Sequence, residues 1–101
     1  MDNAPITDNP EKKRFELAVN DQQAILEYVR QDPHTVALTH TEVPPQLEGQ
    51  GVGSRLVKGV LEHLDANGQM MVPLCGFVQA YLKRHPEWNR LVSVSYDIDE
   101  F

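Results

Sequence analysis

Three groups of residues in this 101-residue chain have types and spacing that can do chemistry. The first is Gly49, Gly51 and Gly53, glycines at alternate positions between a β-branched stretch and an amphipathic one. Strand, glycine loop and helix in succession can hold a phosphate. Glycines let the backbone approach the ligand, and the unpaired amides of a first helical turn point at the anion. The second group is His40 and Glu42, which share one face of a stretch that reads as a strand. Either can take a proton from an amine, directly or through water. His40 is favoured because imidazoles as a class titrate near neutrality. The plain alternative is that one faces solvent and the other pairs with a turn amide. The third is Cys75, which follows an apolar strand and precedes a helix start, a setting that activates thiols. Its plain alternative is buried, inert packing.

The glycine spacing narrows the ligand. A Walker A loop needs Gly-x-x-x-x-Gly-Lys-Ser/Thr, and no Lys-Ser/Thr pair follows these glycines. A dinucleotide fingerprint needs Gly-x-Gly-x-x-Gly, and here the third glycine comes one residue early.

The elements that must position these groups follow from hydrophobic period and turn signals. Residues 1–13 are polar, carry two prolines and read as a flexible N-terminal tail. Arg14 to Val19 alternates and predicts a strand, with Phe15, Leu17 and Val19 on one face. Asn20-Asp21 predicts a tight turn. Ala24 to Arg30 predicts a second strand whose inward face starts at Ile25 or Leu26, with a short helix as rival. Gln31-Asp32-Pro33 is the next turn. Thr35 to Val43 predicts a third strand, and the three form an antiparallel meander. A period of two puts Val36, Leu38, His40 and Glu42 on one face, and Ala37, Thr39, Thr41 and Val43 on the other. From about Gly51 to Ala66 the stripe Val52, Leu56, Val60, Leu64, widened by Val57 and Leu61, predicts a helix ended by Asn67-Gly68. Gln69 to Val72 predicts a fourth strand, set beside the third in parallel by a crossover. A second helix follows from about Phe77 to Arg84, with Phe77, Val78, Tyr81 and Leu82 as its apolar face, and Pro86 stops it. Residues 92–101 read as a last strand or a tail.

The run Val43-x-Pro45-x-Leu47-Glu48-Gly49-x-Gly51-x-Gly53 resembles the acetyl-CoA loop of the GNAT superfamily of N-acetyltransferases. That pattern is roughly Val-x-Pro-x-aromatic-Arg/Gln-Gly-x-Gly-x-Gly/Ala. Leu47 stands where an aromatic is usual, and Glu48 where Arg or Gln is usual. The segment Val72-Pro73-Leu74-Cys75-x-Phe77-Val78, followed by Tyr81 and His85-Pro86-Glu87, resembles a small single-domain GNAT-like group, as does His40-Thr41-Glu42-Val43. The resemblance covers about residues 14–91, taken as a single domain. It implies an α/β (α+β) fold: a truncated GNAT-like core with a mixed, mostly antiparallel sheet and two main helices packed on it.

What the resemblance implies about the site is specific. The backbone amides of Gln50, Gly51, Val52, Gly53 and Ser54 would face the pyrophosphate. The pantetheine arm would run along the splayed edge of the third and fourth strands, near Thr41 to Val43. Arg55 and Lys58, and Lys83 and Arg84 on the second helix, are candidate cations for the phosphates. In the small group the Cys, here Cys75, is a suggested catalytic residue. Tyr81 sits where the superfamily places a tyrosine that can protonate the departing CoA thiolate. Its alternative is a core tyrosine with its hydroxyl at the rim.

Composition bounds the partners. The length fits one domain, and 41% apolar with 24% charged residues is globular composition. A net charge of −6 argues against nucleic acid as partner and is compatible with a cationic acceptor. One cysteine allows no internal disulfide and fits a reducing compartment. With no signal peptide and no apolar run near ~18 residues, the expectation is a cytoplasmic protein that avoids membranes. His34, His63 and His85 show no metal-ligand spacing, so no metal is expected. The expected activity is transfer of acetyl from acetyl-CoA to an amine, by direct attack or through Cys75, by a monomer or weak homodimer. The alternatives are a CoA-binding module without efficient transfer and a generic phosphate-binding domain.

Overall fold

The computed structural model describes residues 6–93. Five strands form one sheet in chain order: β1 (Thr7–Asn9), β2 (Arg14–Val19), β3 (Gln22–Asp32), β4 (Thr35–Glu42) and β5 (Met70–Pro73). The first four pair antiparallel, and β5 joins β4 in parallel. The helices α1 (Val52–Ala66) and α2 (Gly76–Arg84) supply the second layer. Short 3-10 turns at Pro45–Leu47 and Pro86–Leu91 complete the chain. This is the mixed sheet with two helices that the sequence implies.

Local chemistry explains the joints. Asn20 and Asp21 both take positive φ, the geometry of a two-residue hairpin turn matched to strand twist. The next turn is Pro33-His34, so β3 runs through Asp32, whose carboxylate accepts the His34 amide at 2.8 Å. The α1 stripe lies wholly in the core: Val52, Leu56, Val57, Val60, Leu61 and Leu64 are buried. Burial of each such side chain contributes roughly 1.5–3 kcal/mol. The helix ends at Gly68, φ 66°, where the Gly68 amide reaches the Asp65 carbonyl and the Gln69 amide reaches that of Leu64. Only a residue tolerant of left-handed backbone closes both bonds.

Two expectations are corrected. Residues 1–13 are not a tail throughout. Thr7–Asn9 pairs with Arg14–Glu16, and the Tyr28 hydroxyl donates to Asp8 at 2.7 Å. A three-residue strand of polar side chains carries no apolar period, so nothing in the sequence marks it. The even alternation along β4 also fails. Glu27 faces His40, but the next residue, Tyr28, faces Leu38, so Thr39 is an extra residue, its hydroxyl bonded to the Glu27 carbonyl at 3.2 Å. Such a bulge reverses which face later side chains occupy. Val36 and Leu38 point at the helices; His40 and Glu42 point away, and Thr41 points in.

At the C-terminal end of the described chain, Val92 bridges Met71 in parallel, and the Ser93 amide reaches the Met71 carbonyl. Of the segment 92–101, residues 94–101 lie outside the described residues.

Candidate functional site

The site forms where β4 and β5 part. Their last paired residues are Leu38 and Pro73. The amides of Leu74 and Cys75 both converge on the Leu38 carbonyl, and the chain then turns into α2. Beyond that point β4 continues from Thr39 to Glu42 with no strand of β5 beside it. Thr41 Oγ1 and Cys75 Sγ, 3.1 Å apart, close the apex of this opening.

A cavity of about 370 Å³ occupies the opening. Thr41 and Val43 form its strand side, Leu47 and Glu48 its turn side, and Phe77 of α2 its far wall. The floor is the loop itself: Gly49, Gly51, Val52, Gly53 and Ser54. The three glycines serve different ends. Gly49 and Gly51 hold φ of 81° and 75°, which L-side chains rarely adopt. Gly53 is helical, and a Cβ there would stand 2.5 Å from the tip of the Phe77 ring.

The loop delivers α1 to the cavity with an uncapped N-terminus. Gly51 is the N-cap, no side chain caps the helix, and its first turn holds no carboxylate. The leading amides of a helix have no carbonyl partner within it, and the helix dipole adds positive character there. Such a helix end can hold an anion, and Val43, Leu47 and Phe77 give the neighbouring walls an apolar character.

The sequence-derived residues divide into those the fold gathers and those it does not. Thr41, Val43, Gly49, Gly51, Val52, Gly53 and Ser54 line the cavity. Gln50 braces the loop instead, its side-chain amide donating to the Gln46 carbonyl at 3.0 Å. Arg55 sits in the first turn of α1, and its amide closes onto the Gly51 carbonyl. Cys75 is buried at the N-cap of α2, against Thr41. His40 and Glu42 come together, Nε2 to Oε2 at 3.1 Å, but on the sheet face opposite the helices. Lys83 and Arg84 are exposed at the C-terminal end of α2, roughly 10 Å along the axis from Phe77. Tyr81 lies one turn beyond Phe77, buried, with its ring 4.4 Å from that of His85. Burial, then the carboxylates of Glu87 and Glu62, raise its pKa, so the phenol is held protonated. Tyr81, Lys83 and Arg84 do not line the cavity.

Phe77 is the residue whose place the sequence misleads on. It counts with the apolar face of α2 by period, yet it is 41% exposed and walls the cavity. Leu47, by contrast, is buried in the core and also touches the cavity, as an apolar residue at that position should.

Comparison with known proteins now decides the family. The GCN5-related N-acetyl-transferase family matches residues 14–91. The chain belongs to this family. Its fold is also similar to the solution structure of a GCN5-like protein from Staphylococcus aureus, named as a candidate N-acetyltransferase. The two share a TM-score of 0.67 and 27% sequence identity, over 92% of this chain and 91% of the other. The GCN5-related family and fold assign this chain to acyl transfer in general. Among the described residues, no helix is long and apolar enough to cross a membrane.

Proposed function

We propose that the chain moves an acetyl group from acetyl-CoA to an amine by direct attack of the amine on the thioester. The observation that carries this reading is that one cavity runs from the uncapped α1 N-terminus to the unpaired end of β4. The residues present fit a thioester bearing phosphates. Amides without partners meet the phosphates, and no first-turn acid opposes them. The free edge of β4 offers backbone groups to the amides of a pantetheine arm, as an added strand would.

The place of the thiol supports direct attack. Cys75 is buried beneath Thr41 and outside the cavity lining, which favours a positioning role at the apex over an acyl-carrying one. The His40–Glu42 pair takes the amine's proton. The departing thiolate needs no assigned acid, because thiols ionise near pH ~8.5 and leave readily as anions. Tyr81 accordingly has a packing role.

A second reading, a module that binds acyl-CoA without transferring it, is favoured by Glu48. Its carboxylate stands in the cavity wall where the family's usual Arg or Gln would be neutral or attractive. One experiment separates the two: release of free CoA from acetyl-CoA, with and without a primary amine. Amine-dependent release above the no-amine rate establishes transfer. Tight binding with equal rates in both arms establishes the module.

A further inference from the structure

A second cavity, of about 430 Å³, lies against the same strand end. Thr41, Val43 and Glu48 line both cavities. The second is completed by Gln23 of β3, by Glu42, and by Pro44 and Pro45. The two spaces therefore meet at the end of β4, where the first would present an acyl carbonyl.

Charge and geometry define what the second cavity takes. Its wall carries two carboxylates, Glu42 and Glu48, and no Lys or Arg. Glu42 is backed by His40 at 3.1 Å, which orients its carboxylate. The prolines fix φ along the adjoining wall.

We infer that this second cavity is the acceptor site and that the acceptor is a primary alkylamine carrying a second positive charge. The inference rests on the transfer reading above. Two carboxylates have two separable tasks. Glu42 takes one proton from the reacting ammonium. The freed lone pair forms the N–C bond to the acyl carbon, and the C–S bond breaks with its electrons leaving on sulfur. The nitrogen then loses a second proton to solvent, and the thiolate takes one up. The sum is ammonium plus thioester giving amide, thiol and one released proton. Glu48 holds the second cation of the acceptor.

The test uses 1,4-diaminobutane and butylamine as acceptors at saturating acetyl-CoA, with the wild type, Glu48→Gln and Glu42→Gln. Both side chains are exposed, so both variants are expected to fold, and thermal unfolding of each checks this. The wild type is expected to show a KM for the diamine about tenfold below that for butylamine. Glu48→Gln should erase that preference through KM with kcat little changed. Glu42→Gln should lower kcat about a hundredfold, the scale of a lost general base, without weakening acetyl-CoA binding. Amide shift mapping with 1,4-diaminobutane should place its binding at Gln23, Glu42 and Glu48. Transfer that ignores both substitutions, or shifts clustered elsewhere, would overturn the acceptor site while leaving acyl transfer intact. Acetyl-CoA binding with no transfer to either amine would overturn both.

Discussion

Thr41 Oγ1 and Cys75 Sγ lie 3.1 Å apart and join β4 to the start of α2 across the opening between the strands. The contact sits immediately beyond the last backbone bonds between the strands, where two amides share the Leu38 carbonyl. It therefore sets how far β4 and α2 part, and so the width of the cavity. On the direct-attack reading, Cys75 is a positioning residue whose hydrogen bond matters more than its nucleophilicity.

Cys75→Ser keeps a hydrogen-bonding group against Thr41 and removes thiol chemistry. Turnover is expected to stay within about threefold of wild type, a change below 1 kcal/mol in the barrier. A fall of a hundredfold or more, or an acetylated Cys75 detected by mass spectrometry on the wild type during turnover, would show that the acyl group passes through the thiol. Tyr81→Phe is expected to behave similarly, because Tyr81 stands outside the cavity.

The glycines at 51 and 53 should respond to alanine for different reasons. Gly51 has φ 75°, so Gly51→Ala places a side chain in left-handed backbone and is expected to destabilise by about 1 kcal/mol. Gly53 is helical, where alanine is favoured by roughly 0.5–1 kcal/mol. That gain is opposed by the Phe77 ring, 2.5 Å from the new Cβ. Urea denaturation should find Gly53→Ala more favourable in a Phe77→Ala background than alone. Equal effects in both backgrounds would mean that the ring does not press on the loop.

Tyr28 links a buried phenol to stability at high pH. Burial, then the hydrogen bond to Asp8, push its pKa up to about 12, from the ordinary tyrosine value of 10.0. The folded state thus holds a proton that the unfolded chain releases. Stability is unaffected below pH ~10 and falls as pH rises from there towards 12. Wild type is expected to lose roughly 2 kcal/mol more than Tyr28→Phe across that window. Parallel losses in the two proteins would place Tyr28 in a more solvated setting.

Much of this site was legible because its parts are local. The glycine loop and the i, i+4 stripe of α1 each depend on neighbouring residues, and the crossover to β5 follows from the strand–helix–strand order that they set. What was hidden depends on pairing at a distance. The extra residue at Thr39 has no signature of its own, yet it turns His40 and Glu42 from the helix face to the open face. The strand at Thr7–Asn9 exists only because β2 offers it an edge. Phe77 looks like a core residue by spacing, but it stands at the start of α2, where that face meets the cavity rather than α1's apolar stripe. Periodicity likewise cannot say which end of α2 meets the glycine loop, which is why Lys83 and Arg84 read as phosphate partners and stand apart from it.

The most direct test is titration of acetyl-CoA by calorimetry into wild type and Ser54→Asp. A carboxylate at residue 54 suits the helix dipole, so thermal stability should hold or rise. The same charge stands among the amides proposed to face the phosphates. Wild-type binding that Ser54→Asp weakens tenfold or more, with stability intact, is the expected result. Binding that Ser54→Asp leaves unchanged, or no binding by wild type, would contradict the placement of the acyl donor in this cavity.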